Sequence, residues 1–417
     1  MMKTALGSRA TRVVSAAAIL LIAVCSCPPT LCAADPVKVG FATSLTGVFS
    51  AIGEQMRDGF SLYMEQIASK AGGREIKVIV QDIGSNQVNR AVQEVGKLIE
   101  QDKIDVLAGV VDSGSAYALA RLTAKEKIPF IISNAGADDL TQRKNTPFIL
   151  RANFGSNSTG SHAMGAWAYE QGFRKAATIG ADYAAGYESI GGACRTFKAA
   201  GGKILQEAWL PVGTQDFKPA LAKISPEADL IIAFFGGKDA ERFMEQYIES
   251  GLKDKIPVVG QGALTDELIL AKVGKAAEGI VTEWHWSIPM DNPENKAFVA
   301  AFKKKHGRNP TVFAEEGYVT AMVVAEALNK TGGQFKGEEF VKAAKGLELK
   351  GPRGSLKFDA YGAPVHTVYL RKVQNVDGEW QNVNFKAFPN VSQFWKWTPE
   401  EFLKMEPYDE LKGTWTK

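Results

Sequence analysis

The chain has 417 residues, 45% of them hydrophobic and 23% charged, and its 49 Lys and Arg nearly balance 46 Asp and Glu for a formal net charge of +3. That length exceeds what one hydrophobic core usually organises, which implies two lobes, and the even charge argues against nucleic acid as a partner. With four scattered histidines and four cysteines, neither a metal-ligand cluster nor a disulfide framework is indicated.

The first 34 residues read as a secretory signal: a basic start (Lys3, Arg9, Arg12), an apolar stretch from Val13 to Val24 too short to span a bilayer, and Cys32-Ala33-Ala34 as a small-residue cleavage site before Asp35. Cleavage there removes three positive charges and leaves a mature chain of zero formal charge, exported to the periplasm. Val24 before Cys25 and Ser26 before Cys27 make poor lipobox contexts, so a lipid anchor is disfavoured. Cys194 is then the one cysteine left, and stability must come from cores.

From Val37 onward, short β-branched runs alternate with helical periods. Strands are expected at Lys38–Thr43, Ile76–Gln81, Val106–Val110, Phe130–Ser133, Lys175–Ala181, Lys203–Trp209, Leu230–Phe235, Val258–Gln261 and Ile280–Trp284. Helices are expected between them, near Gly53–Ala71, Val88–Gln101, Ala116–Glu126, Ser158–Gln171, Tyr187–Ala200, Phe217–Ile224, Lys238–Ser250 and Glu267–Val273. Such alternation means parallel sheets with right-handed crossovers, so the expected fold is α/β, with two doubly wound parallel-sheet lobes. Helices at Asn295–His306, Tyr318–Lys330 and Gly337–Leu347 follow, then a β-rich end with a hairpin about Asp377-Gly378 and an aromatic tail from Asn390. Helices returning after the second set of strands imply that the chain crosses between lobes more than once, through a hinge of strands. The expected division is 35–155 with 285–362 as one lobe and 156–284 with 363–417 as the other.

Loops at the carboxyl ends of parallel strands line the crevice of such a fold. Two of them, Asp112-Ser113-Gly114-Ser115 and Asn134-Ala135-Gly136-Ala137-Asp138-Asp139, pass from a buried strand into small and hydroxyl residues where a helix should begin. Free N–H groups and a positive helix end would then cradle an anion. Ser113 and Ser115 can equally be caps, and Asp138 and Asp139 are better placed to stabilise a helix start than to meet an anion. The loop Ser44-Leu45-Thr46-Gly47, with Thr46 and the nearby Phe49, joins them. Asp182-Tyr183, Gly236-Gly237-Lys238 and Gln261-Gly262 would form the opposite wall, Tyr183 offering a ring to stack on a planar ligand; Lys238 is either an anion contact or a solvated helix start. In Trp284-His285-Trp286 the histidine points away from both tryptophans, as a structural imidazole or as a donor to a carboxylate. No nucleophile and base pair, Walker sequence, dinucleotide fingerprint or zinc motif is present, which disfavours an enzyme, a cofactor and a metal.

Taken together, Val39–Gly53, Lys97–Thr141, Ala176–Gly186, Phe235-Gly236-Gly237, Ala277-Glu278-Gly279-Ile280, Asn295–Pro310 and Gly317–Ala321 resemble the branched-chain amino-acid type of periplasmic substrate-binding proteins, which feed ABC importers. The resemblance implies the type I fold of that family, a three-stranded hinge, a ligand clamped between lobes, no chemistry, an ABC permease as partner and a monomer. It also implies that Ser113 and the Ala135–Ala137 loop hold a carboxylate. Where leucine binders of the family carry a threonine this chain has Ala137; their tyrosine before Gly186 is replaced by Ala185; and no acid for an ammonium stands in Gly260-Gln261-Gly262-Ala263. The Asn134–Thr141 and Asp182–Gly186 stretches, His285 and Val391-Ser392-Gln393-Phe394-Trp395 are similar to a branch associated with aromatic carboxylates. The expected ligand is therefore an aromatic acid, benzoate-like or phenylpropenoate-like, with an amino-acid or amide binder, or a ligand-sensing domain for a receptor, as alternatives.

Overall fold

A computed structural model describes residues 35–333 and 337–417; the signal segment expected at 1–34 lies outside the described residues. In chain order the elements are β1 (Val37–Thr43), α1 (Ser50–Gln66), β2 (Lys70–Ala71), β3 (Arg74–Asp82), α2 (Val88–Lys97), β4 (Val106–Gly109), α3 (Ser113–Glu126), β5 (Phe130–Ile132) and β6 (Ile149–Arg151). There follow α4 (Asn157–Glu170), β7 (Lys175–Ala181), α5 (Ala184–Ala199), β8 (Lys203–Leu210), α6 (Lys218–Leu221), β9 (Leu230–Phe234), α7 (Gly237–Glu249), β10 (Val258–Gln261), α8 (Glu267–Val273) and β11 (Val281–Trp284). The last part comprises α9 (Pro293–His306), α10 (Val312–Lys330), α11 (Gly337–Lys345), β12 (Glu348–Gly351), β13 (Gly354–Phe358), β14 (Pro364–Val376), β15 (Glu379–Val391) and α12 (Pro399–Leu403).

Two sheets run through the two lobes, the β12–β13 end of the second packing on the first lobe's core through Leu349 and Leu356. The first has the order β2-β3-β1-β4-β5-β6, and the second runs β12-β13-β14-β11-β10-β9-β7-β8 with β15 on β14. From β3 to β6 the first sheet is parallel throughout, and its inner strands β4 and β5 are continuous apolar runs because helices cover both faces. The second is mixed: β7 to β11 are parallel, while β12 to β15 join antiparallel. That antiparallel edge contains the hairpin expected about Asp377-Gly378. The β14–β15 hairpin is closed by Asp377-Gly378, both with positive φ (51° and 91°), the two-residue turn that a right-twisted hairpin prefers.

Other departures have local causes. Helix α1 starts at Ser50 and stops at Gln66, because Ala68 and Ser69 take positive φ (50° and 51°) and turn the chain into the short strand β2. After β5 the chain forms one 3-10 turn, Asp138–Thr141, where a full helix was expected. Strand β6, three residues long, was not anticipated, since so short a run carries no period.

The first lobe buries α1, α10 and α11 against one sheet face, around Phe41, Phe60 and Val324, and α2 and α3 against the other, around Leu107, Leu119 and Phe130. The aromatic tail belongs to the second lobe, where Phe394, Phe402, Tyr408 and Trp415 join the core of Phe197, Phe235 and Tyr247. Three segments, 152–156, 285–292 and 359–363, join elements that pack on one core to elements that pack on the other. Among the described residues no helix is long and apolar enough to cross a membrane.

Candidate functional site

The site begins with backbone strain. Gly109 (φ 112°) ends β4 where a Cβ would lie 2.1 Å from the Ala42 carbonyl oxygen, and Val110 follows at φ 74°, a conformation costly for a β-branched residue. The kink is held by hydrogen bonds from Val110 N–H to Ala42 O (2.7 Å) and from Ala135 N–H to Val110 O (3.1 Å). It delivers Val111, Asp112 and Ser113 into the space between lobes. Asp112 caps α3, its carboxylate accepting from Ser115 N–H at 2.8 Å, and burial pushes that carboxyl above its usual range.

A narrow cavity, with about 380 Å³ of empty space partly continuous with solvent, lies where the two sets of loops meet. Six rings line it: Phe49 and Phe313 from the first lobe, Tyr183 and Phe234 from the second, Phe154 from a connecting segment and Trp284 from the end of β11. Their centroids stand in two rows of three, Phe49 to Tyr183 at 6.3 Å and Tyr183 to Phe234 at 6.2 Å in one, Phe154 to Trp284 at 5.5 Å and Trp284 to Phe313 at 5.7 Å in the other. Ile52, Val111, Ala185 and Ala263 fill between the rings, and the polar groups are few: Ser113, Asn134, Asn157 and Gln261, with the backbone of Gly136 and Gly236. An apolar slot with a few placed polar groups is the ordinary form of a small-molecule site, and these rings suit a flat apolar body.

The polar end has a readable donor pattern. Ser113 Oγ accepts from Ala137 N–H (3.0 Å) and from Asn157 Nδ2–H (3.1 Å), so both its lone pairs are used and its own proton is left to donate. Gly136 stands beside it, and a Cβ there would lie 2.0 Å from Asn157 Oδ1 and 2.8 Å from the Asn157 nitrogen, which is why this position has no side chain. Asn134 spends its Nδ2 on Glu316 at 2.7 Å. Among the described residues neither the Tyr183 hydroxyl nor the Gln261 amide has a hydrogen-bond partner, and burial raises the Tyr183 phenol, so it stays protonated.

Of the residues singled out from sequence, Phe49, Ser113, Asn134, Gly136, Tyr183 and Gln261 line this cavity. The others stand elsewhere. Thr46 is exposed and bonds Asp82 at 2.8 Å, and Gly114 and Ser115 continue helix α3. The N–H groups of Ala135 and Ala137 are taken by Val110 O and Ser113 Oγ, and their carbonyls are taken by the buried guanidinium of Arg151. Asp182 is exposed and paired with Lys412 and Tyr187. Lys238 points to solvent, while its N–H bonds Val48 O at 3.1 Å across the lobes. The Gly262 carbonyl accepts from Arg371 at 3.3 Å.

His285 sits behind the cavity in a buried knot that ties the connecting segments. Arg353 forms a fork with Glu315 (2.8 and 2.6 Å) and donates to Asn153 O at 2.5 Å; His285 Nε2–H donates to Glu315 at 3.1 Å, and His366 Nε2–H to Phe154 O at 3.0 Å. Burial first, then Arg353, holds both imidazoles neutral, His366 down to about 3. Phe154, Asn157 and Phe313 escaped the sequence reading because they come from a crossover, a helix of the opposite lobe and a helix returning some 200 residues later. Trp284 was noticed, and the alternation that turns it toward the cavity turns His285 away.

A family model described as periplasmic binding protein matches residues 36–379. Leu/Ile/Val-binding protein homolog 6 of Brucella abortus is 28% identical over 379 residues, 89% of this chain and 96% of that protein. A solute-binding protein of an ABC transporter from Rhodopseudomonas palustris BisB5, solved in complex with 3,4-dihydroxybenzoic acid, has a TM-score of 0.82 at 34% identity, covering 86% of this chain and 99% of that one. Another from R. palustris, solved with benzoate, has a TM-score of 0.80 at 32% identity over 85% of this chain and 98% of that one.

Proposed function

Because the chain belongs to the periplasmic binding protein family, we propose that it captures a small aromatic carboxylate between its lobes and hands it to an ABC permease, without transforming it. One observation carries the choice of ligand. The cavity pairs an anion-directed donor, the Ser113 hydroxyl whose lone pairs are both occupied, with a slot walled by six aromatic rings and no carboxylate among its lining residues. The carboxylate would sit against Ser113 and the Gly136 N–H, and the ring among Phe49, Tyr183, Phe154 and Trp284, with the Tyr183 hydroxyl and Gln261 amide free to meet substituents. The benzoates held by the solved relatives support this reading.

The relatives named for leucine, isoleucine and valine favour an amino acid instead. Against them stands the lining itself: an ammonium there would lose a charge-assisted contact worth about 1.5–3 kcal/mol. A thermal-shift screen with hydroxylated and methoxylated benzoates, cinnamates, phenylacetates and the twenty amino acids separates the two, since a ligand that binds only the native state at 100 times its Kd stabilises it by about 2.7 kcal/mol. A shift with aromatic acids and none with amino acids is expected; a shift with leucine or valine alone overturns the assignment.

A further inference from the structure

Glu188, on α5 of the second lobe, is buried and lies outside the cavity lining, yet it joins three parts of the site. Its Oε1 accepts from the Tyr117 hydroxyl of α3, across the lobes, at 2.7 Å. Its Oε2 accepts from Asn157 Nδ2 at 2.6 Å, the same amide nitrogen whose other hydrogen goes to Ser113 Oγ. Tyr117 in turn accepts from Asp139 N–H at 3.1 Å.

The charges around it do not balance. Asp138 is the carboxyl that bears on it most, buried and held by the Ser158 hydroxyl and N–H, and among the described residues Arg151 is the buried cation that both feel. Arg151 spends its donors on Thr141 and on the carbonyls of Ala135, Ala137 and Asp138 rather than on either carboxylate. Asp139 is committed to Arg143 and Lys144, the latter also lying over the Tyr117 ring, and Tyr183, the other titratable neighbour, stays neutral. Two buried carboxyls therefore share one cation, and an anionic ligand at Ser113 would add a further negative charge.

We propose that Glu188 is a positioning residue of the closed state: it ties the lobes through Tyr117, aims Asn157 at Ser113 and, with Asp138, takes up one proton from solvent as the lobes close on an anion. The proposal rests on the carboxylate reading of the cavity. Opening parts Tyr117 from Glu188 and returns the carboxyl to water, where it ionises as usual; closing desolvates it, and burial together with Asp138 pushes it well above that range. The pair titrates as a unit and holds one proton between its members. Closure thus gains a proton at neutral pH, and affinity falls as pH rises.

Calorimetry with benzoate, 4-hydroxybenzoate and leucine, run in phosphate and in Tris, reads the proton directly. Wild type should take up close to one proton per ligand at pH 7 and weaken by up to about tenfold per pH unit between pH 6 and 8. Glu188→Gln, neutral at every pH, should bind with little uptake and a nearly flat profile; Tyr117→Phe, which loses the tie between lobes, should bind several-fold more weakly and keep the slope. No uptake in wild type, or unchanged uptake in Glu188→Gln, overturns the proposal, and loss of uptake in Asp138→Asn but not in Glu188→Gln moves the proton off Glu188 and overturns it too. If none of the three ligands binds, the carboxylate reading fails by itself. The positioning role is then judged on melting temperature: wild type should lose stability against Glu188→Gln from pH 5 to pH 8, and identical profiles would end it.

Discussion

Removing the Ser113 hydroxyl takes away a donor aimed into the cavity and strands the Ala137 N–H and one Asn157 N–H without their acceptor. A hydrogen bond to a charged group is worth about 1.5–3 kcal/mol, so Ser113→Ala should weaken binding of the preferred acid by about 10- to 100-fold while the fold persists. Calorimetry on the variant checks this, and an unchanged Kd would show that the carboxylate sits elsewhere. Ser113, Gly136, Tyr183 and Gln261 could be picked out from sequence because each follows a strand that its own residues announce. Asn157 and Phe313 could not: one is the first residue of a helix in the opposite lobe, the other opens α10, and nothing local tells that either reaches the crevice. His285 and Lys238 show the complementary failure. Either could donate to an anion, but Glu315 and solvent respectively claim them.

Helices α1 and α10 cross with their backbones nearly touching. A Cβ on Gly59 would lie 1.8 Å from the Ala314 carbonyl oxygen, and one on Gly317 would lie 2.0 Å from that of Met56. Two glycines, one per helix and each facing the other's carbonyl, set this distance, and Gly59→Ala must push the helices apart. Overpacking of this kind costs about 1–3 kcal/mol, so the melting temperature should drop by several degrees with little change in ligand Kd, as scanning calorimetry beside binding would show. The sequence placed both helices but not their partnership, because a glycine inside a helical period reads only as a weak helix former. In the same way it announced β14 and β15 by the Asp377-Gly378 turn while leaving their antiparallel attachment to a parallel sheet to tertiary structure.

Across the whole molecule, buried ionisable groups outnumber the pairs that would satisfy them. Glu283 packs against Gly160 with Ser161 Oγ as its one hydrogen-bond partner (3.4 Å), and burial raises its carboxyl to about 8. A folded-state value above the unfolded one means the native state binds the extra proton, so stability is lost as pH rises from about 4.5 toward 8, by at most about 1.4 kcal/mol per unit. His366, held down to about 3, has the opposite sign and costs stability as pH falls below about 6.5. Differential scanning calorimetry should find Glu283→Gln gaining on wild type from pH 5 to 8, and His366→Asn gaining on wild type from pH 6.5 to 4. Parallel profiles would show that these groups are hydrated in the native state. The two-lobed architecture was legible from strand and helix alternation alone, whereas these buried charges were not, since burial of a polar residue is decided by partners far away in the chain.

The contact between Gly59 and Ala314 also sets an order of events. These residues are about 250 positions apart, and the parallel strands of the second sheet, β7 to β11, are threaded between them. Closing so long a loop is entropically costly, and non-local pairings of this kind slow folding. The lobe that begins the chain thus stays unfinished through the synthesis of β7 to β11: until α10 arrives, α1 presents Met56, Phe60 and Met64 to water. A chain arrested anywhere between β11 and α10 would carry two half-built cores, the first without α10 and the second without β14 and the aromatic tail, and those unfinished faces are where a chaperone or a protease would take hold.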